Sequence, residues 1–212
     1  GAGPMTQKER QERSKREILR AAQEEFGASS YENVSMEGIC TRHGISKGMM
    51  YHYYANKDQL FLRCVEEVFN GLGSFLREEC AGLVEKSGRE CLKQYLLARE
   101  RYFQKYPKEK NIFENALFHP PKQLREQIQQ LRRPLREYNS WLLQQVVSKL
   151  PLRPGITEAQ ARLYVEGIEY LFWELLRQYR PGMEFDLHQV SLAGEELLDM
   201  ILFGVARQDA AK

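Results

Sequence analysis

The chain has 212 residues, of which 42% are hydrophobic and 28% charged, and its formal net charge is +2. This is the composition of a globular protein able to bury a sizeable core, which excludes disorder away from the ends. No apolar run reaches the roughly 18 residues that a membrane span needs, and the nearly neutral balance names no partner by itself.

Residues 1–4, ahead of Met5, read as an expression scar, and the N-terminus lacks the apolar h-region of a signal peptide, so a cytoplasmic protein is expected. Proline and glycine then punctuate long stretches of helical period, and no alternating β-branched run interrupts them. The chain therefore reads as all-α. Thr6 with Glu9 and Ser14 with Glu17 each fit a capping box, and Ile18, Ala22 and Phe26 give a first helix its buried stripe before Gly27 ends it. Ser35 caps a two-turn helix with Met36, Ile39 and Cys40 inward, and Gly44 stands where a left-handed residue would stop it. Ser46 caps a third short helix through Tyr53, and Asn56 with Gln59 caps a fourth. Two brief helices joined by a tight glycine turn are the sequence form of a helix-turn-helix, whose second helix enters the major groove.

From Lys57 the helices lengthen. One is expected to run to about Glu85, one from Arg89 to Tyr106 where Pro107 stops it, and a shorter one from Lys108 to Phe118. The spacing of Leu124, Ile128, Leu131, Leu135, Tyr138, Leu142 and Val146 predicts a helix of about 28 residues, kinked at Pro134. After a loop from Pro151 to Gly155, two last helices are predicted over Thr157–Tyr179 and Asp186–Arg207. Residues 5–60 form an expected DNA-binding domain and residues 61–212 a larger helical domain. Their boundary falls inside a helix, so motion of the larger domain would be felt by the smaller.

The distribution of charge says more than its sum. No acid lies between Glu37 and Asp58, whereas Arg42, His43, Lys47, His52 and Lys57 do. Lys8, Arg10, Arg13, Lys15, Arg16 and Arg20 precede them, tempered by Glu9, Glu12 and Glu17. A charge run is usually a solvated face, so this suggests nucleic acid and no more. Lys47 and Lys57 pose a sharper question, because a cation in the first turn of a helix is disfavoured by roughly 0.3 to 1 kcal/mol. Something outside those helices must favour them.

On the third helix Met50 and Tyr54 are expected to face the core, as is Ile45 before it, which leaves Lys47, Met49, Tyr51 and His52 exposed. Lys47 suits guanine O6 or N7 and Met49 a thymine methyl, while the hydroxyls of Tyr51 and Tyr53 suit phosphate oxygens. Core packing competes for Met49, and solvent or phosphate competes with base reading for His52. Gly48 permits either close helix packing or close approach to DNA.

Ser35, Ile39, Gly44, Ile45, Ser46, Gly48, Tyr51, Tyr53, Tyr54, Lys57 and Leu60 together resemble the N-terminal signature of the TetR family of transcriptional regulators, over roughly residues 18–60. The rest of the chain is similar to that family only in size and helix content. Ser35 stands in place of the usual Thr, Cys40 and His43 in place of Ala, Ile45 in place of Val and Tyr54 in place of Phe; His43, beside the turn, is the departure able to alter contacts. The resemblance implies an N-terminal three-helix DNA-binding domain, a C-terminal ligand-binding and dimerisation domain, and a homodimer. It also implies that Lys57 reaches a DNA phosphate, which would answer the objection from the helix dipole. The DNA-binding candidates are then Ser35, Ser46, Lys47, Gly48, Met49, Tyr51, His52, Tyr53 and Lys57.

Enzyme chemistry finds no foothold, since the chain has no GxSxG elbow, Walker loop, HExxH or Glu-x-x-His pair. Cys40, Cys64, Cys80 and Cys91 are scattered, as are the histidines, so neither a metal nor another cofactor is expected and the thiols read as reduced and packed. Tyr102, Phe113, Trp141, Tyr170 and Trp173 are candidates to line a site for a hydrophobic or aromatic effector, with Glu114, Glu169 or Glu174 supplying polarity. Ordinary core is the competing reading for most of them. The penultimate helix carries two apolar stripes, Tyr164, Ile168, Leu171 and Leu175 against Val165, Phe172 and Leu176; Ala193, Leu197, Leu198, Ile201, Leu202 and Val205 repeat the theme in the last. A surface helix needs one stripe only, so the other points to a second copy of the chain. The expected function is a ligand-responsive transcriptional regulator, a repressor that binds a palindromic operator. The alternative is a helical interaction protein whose N-terminal module makes protein contacts.

Overall fold

The computed structural model describes residues 3–179, 194, 196–201, 204, 205 and 207, and among these the architecture is all-α. The α-helices with described bounds are, in order, α1 (Gln7–Ala28), α2 (Met36–His43), α3 (Lys47–Tyr53), α4 (Lys57–Glu79), α5 (Gly88–Lys105), α6 (Pro107–Phe118), α7 (Arg125–Ser148) and α8 (Glu158–Tyr179). The predicted helix over Asp186–Arg207 lies largely outside the described residues. No described helix is long and apolar enough to cross a membrane.

Several boundaries differ from the sequence reading. α1 passes through Gly27 to Ala28, because that glycine serves a crossing and not a stop: a Cβ there would lie 2.5 Å from the Cβ of Lys108 on α6. α4 ends at Glu79, and the chain continues into a separate 3₁₀ turn over Leu83–Glu85 instead of one helix to Glu85. Pro107, expected only to end α5, also opens α6 in its first turn, where a missing N–H costs nothing. Pro134 does lie inside α7.

The chain divides into two compact units, Gly1–Gly71 with Lys105–Arg133, and Leu72–Gln104 with Pro134–Lys212. The unit that holds the helix-turn-helix thus extends beyond residues 5–60. Its core gathers Ile18, Ala22 and Phe26 of α1, Ile39 of α2, Met50 of α3, Leu60, Phe61 and Val65 of α4, and Ile112 and Phe113 of α6. Phe26 meets Phe61 edge-on with ring centroids 5.0 Å apart, and Tyr31 meets Phe61 at 5.1 Å. α6 belongs here because it closes the open end of α1: the Asn111 side-chain amide donates to the Phe26 carbonyl at 2.9 Å, and Lys108 pairs with Glu24. Carbonyls in the last turn of a helix have no partner within it, so an amide from a neighbour is worth a hydrogen bond that would otherwise go to water.

The second unit buries Leu72, Leu76, Leu92, Tyr95, Tyr102, Phe103, Leu142 and Val146. It also buries charge, since Arg99 and Glu100 on α5 are 3% and 2% exposed. The Tyr95 hydroxyl donates to the Asn139 side chain, and the Arg99 guanidinium lies 6.0 Å from the Tyr95 ring centre. All four cysteines are buried free thiols, and burial pushes Cys80 up to about 11. Burial likewise raises Cys64 and Cys91, so these three stay protonated at neutral pH as packing groups.

Candidate nucleic-acid interface

The helix-turn-helix is assembled from local rules that the sequence already displays. The Ser35 hydroxyl accepts from the Gly38 amide at 3.0 Å and the Ser46 hydroxyl from the Met49 amide at 3.1 Å, so each short helix has a satisfied N-cap. Gly44 closes α2 at φ 63 and ψ 34, where an L side chain would be strained by roughly 1 to 2 kcal/mol. Ile45 and Met50 are buried, and they fix which side of α3 faces inward.

Lys47, Gly48, Tyr51 and His52 are exposed on α3, with Tyr51 46% exposed. Met49 is half-buried. Tyr54, expected in the core, is half-buried instead and lines a groove of about 420 Å³ with Tyr53, Leu62, Arg63 and Leu131. Its hydroxyl keeps it from being fully enclosed without a partner, whereas the usual Phe would have no such need. Gly48 resolves one open choice. A Cβ built on it meets nothing within 4 Å, so packing inside the chain does not require a glycine there.

Lys57 is held more firmly than the sequence implied. Its ammonium donates to the Tyr31 carbonyl at 3.0 Å and sits 4.0 Å from the centre of the Tyr31 ring. A carbonyl and the negative face of an aromatic ring both offset the unfavourable dipole at the start of α4. The Tyr31 hydroxyl in turn donates to Asp58, which also accepts from Gln123 at 3.2 Å. Burial, and then the Asp58 carboxylate, push the Tyr31 hydroxyl well above its ordinary value, so it remains a donor.

His43 is also occupied. Glu25 of α1 accepts from Arg42 at 2.6 Å and lies 3.0 Å from the His43 ring, so the departure beside the turn fastens α2 to α1. Lys15, named in the sequence only as part of a charge run, also reaches this surface. Lys15 stands with its ammonium 5.7 Å from the centre of the Tyr53 ring, and Tyr53 lies edge-on to His52 at 4.8 Å. Lys15 falls one turn before Ile18 on the same helical stripe, which was the available signal for it.

The family description "Bacterial regulatory proteins, tetR family" matches residues 18–64, the segment that builds this surface. Residues 18–64 carry the TetR N-terminal module. Solved structures extend the likeness to the fold of the whole chain. A TetR-like transcriptional regulator from Rhodococcus sp. RHA1 is 23% identical with a TM-score of 0.64, over 90% of this chain and 96% of that one. A TetR family transcriptional regulator from Chloroflexus aurantiacus J-10-FL is 19% identical with a TM-score of 0.65, over 93% and 95%. The transcriptional regulator FadR from Bacillus subtilis, solved in complex with stearoyl-CoA, is 18% identical with a TM-score of 0.64, over 86% and 96%. No curated protein matches the chain. The TetR module is that of DNA-binding transcription regulators, a family that is generally non-enzymatic.

Four of the five aromatic candidates for an effector site have described side chains, Tyr102, Phe113, Trp141 and Tyr170. Tyr102 is buried in the second unit between Phe75 at 5.3 Å and Phe103 at 5.7 Å. Phe113 is buried in the first unit against Phe69 at 5.9 Å. Trp141 and Tyr170 are 48% and 56% exposed, because the helical stripe each belongs to turns outward, and the side chain of Trp173 lies outside the described residues. Of the proposed polar residues, Glu114 is half-buried and Glu174 exposed, and Glu169 lies outside the described side chains.

Proposed function

We propose that this chain is a ligand-responsive transcriptional repressor of the cytoplasm that binds a palindromic operator as a homodimer and is released by a small hydrophobic or aromatic effector. The observation that carries the reading is the exposed face of α3. It presents Lys47, Tyr51 and His52 beside a glycine that the fold itself does not need. A cation, ring hydroxyls and a position without a side chain suit close approach to the edges and phosphates of a duplex. In this reading Lys47 and Met49 reach bases, and Tyr51, Tyr53 and Lys57 reach phosphates. Ser35 and Ser46 present the N-terminal amides of α2 and α3. Lys57 spends one donor on Tyr31 and keeps two for a phosphate.

An outward stripe on α8 supports the homodimer. Leu163, Tyr164, Tyr170 and Leu171 are between 50% and 66% exposed, while Ala161 and Val165 on the opposite stripe are fully buried. Support for a hydrophobic effector comes from the FadR neighbour, whose structure holds stearoyl-CoA. The second unit of this chain offers buried Tyr95, Tyr102 and Phe103 with the polar groups of Arg99, Glu100 and Asn139, a combination able to orient an apolar molecule with one polar end.

Selection of bound sequences from a random duplex pool tests the reading. The expected outcome is a two-fold symmetric site whose affinity falls steeply with salt, as counterion release requires. Binding to no duplex at low salt would remove it, in favour of a module that contacts protein.

A further inference from the structure

The first three turns of α1 have no core beneath them. From Gln7 to Glu17 every residue is exposed except Ser14, which is half-buried, and the first buried side chain of the helix is Ile18. At 1.5 Å per residue these 11 residues make an overhang of about 16 Å. Its own start is well made, since the Thr6 hydroxyl accepts from the Glu9 amide at 3.2 Å and the Glu9 carboxylate accepts from the Thr6 amide at 3.0 Å. The segment holds five cations, Lys8, Arg10, Arg13, Lys15 and Arg16, against three acids, Glu9, Glu12 and Glu17.

Position separates this strip from an ordinary solvated face. The buried stripe of α1 runs through Ile18, Ala22 and Phe26. Continued toward the N-terminus, the same stripe meets Ser14 and Lys15, then Gln11, and then Lys8. It changes from apolar to polar, with acids absent and Lys8 and Lys15 as its charges, where α1 leaves the core and passes the end of α3, and Lys15 marks that passage by lying near the Tyr53 ring. Solvated faces normally point away from the core side of a helix; this one extends it.

We infer that the overhang of α1 is a second DNA contact, in which Lys8 and Lys15 lie along the phosphates flanking the groove that α3 enters. The inference rests on the DNA-binding reading given above. A helix of about 10 to 12 Å diameter does not fit a minor groove about 6 Å wide, so the strip meets the backbone and reads no sequence. Phosphate contacts of this kind set affinity and orientation on the duplex, not base preference.

The test is the salt dependence of duplex binding by the full chain, measured by fluorescence anisotropy on a selected site and on a random duplex. K8Q/K15Q is expected to flatten the slope of log K against log salt by about two units per bound protomer, close to 0.9 for each lost cation, equally on both duplexes. R13Q/R20Q removes the same charge from the far side of the helix and is expected to leave the slope close to that of the native chain. Lysine, arginine and glutamine have similar helix propensity, and circular dichroism of both variants checks that the strip stays helical. An unchanged slope in K8Q/K15Q overturns the inference, and so does an equal fall in both variants, which would report net charge alone. If the native chain itself shows no salt-dependent duplex binding, the DNA-binding reading fails and takes the inference with it.

Discussion

Gly48 is the residue whose environment speaks most directly, because an exposed helical glycine with open space around it stabilises nothing in the fold. Gly48→Ala should raise stability by about 0.5 kcal/mol through lower entropy of the unfolded chain. If the position is kept bare for close approach to DNA, the same change should weaken operator binding. Thermal melts and binding isotherms on one preparation check both; a variant that is more stable and binds normally would show that Gly48 serves neither. The two helix-start lysines separate in a similar way. Lys47→Ala should cost roughly 1 to 3 kcal/mol of binding on the selected site and relax preference at particular base pairs, as loss of a base contact does. Lys57→Ala should weaken all duplexes alike and flatten the salt slope by about one unit per protomer. Because Lys57 also holds the Tyr31 carbonyl and ring, its loss should lower stability by about 1 kcal/mol, read from denaturant midpoints. Retention of wild-type affinity on every duplex would contradict the phosphate role of Lys57.

At the scale of elements, the short helices of the recognition module depend on neighbours. α3 has seven residues, far fewer than an isolated helix needs to persist, so its shape comes from its Ser46 cap, buried Met50 and the scaffold around it. That scaffold is fastened at α1 by Glu25 to α2 and by Gly27 and Asn111 to α6. Gly27→Ala should therefore be among the more damaging small substitutions, because a Cβ would overlap the Cβ of Lys108 and force α6 away. A loss of about 1 to 3 kcal/mol is expected, as for other overpacked sites, measured by chemical denaturation. Asn111→Ala should cost about 1 kcal/mol by leaving the Phe26 and Ser29 carbonyls short of a donor. A neutral Gly27→Ala would mean that α6 can shift freely on α1.

For the whole molecule, assembly and effector response are the open quantities. Leu163→Glu with Leu171→Glu places charge on the outward stripe of α8 without touching the buried Ala161 and Val165. Sedimentation of this double variant should report a folded monomer with weakened binding to a two-fold site, and a persisting dimer would place the interface elsewhere. A thermal-shift screen of hydrophobic compounds, followed by titration of the hits against protein on its operator, addresses the effector. By linkage, an effector that weakens DNA binding must itself bind the DNA complex more weakly by the same factor, typically about 5 to 150-fold. Hits that raise the melting temperature but leave operator affinity unchanged would reveal a site without a switch.

The sequence alone determined the recognition module almost completely. Its signals are local: a serine at each N-cap, a glycine at the left-handed stop and apolar residues at helical spacing, so Ser35, Gly44, Ser46 and Met50 act within a few residues of themselves. The same held for the stripe of α7, where Ile128, Leu135, Leu142 and Val146 are buried at helical spacing. Tertiary structure decided what depends on residues distant in the chain. Gly27 looked like a stop and is a crossing, because its partner Lys108 comes 81 positions later. Lys57 has a support within the chain, the Tyr31 carbonyl, that only the fold reveals, and His43 is held by Glu25. The aromatic set from Tyr102 to Tyr170 was gathered by residue type, and type does not say which stripe of a helix turns inward. Only packing does, and it buried Tyr102 and Phe113 in different units and left Trp141 and Tyr170 outside.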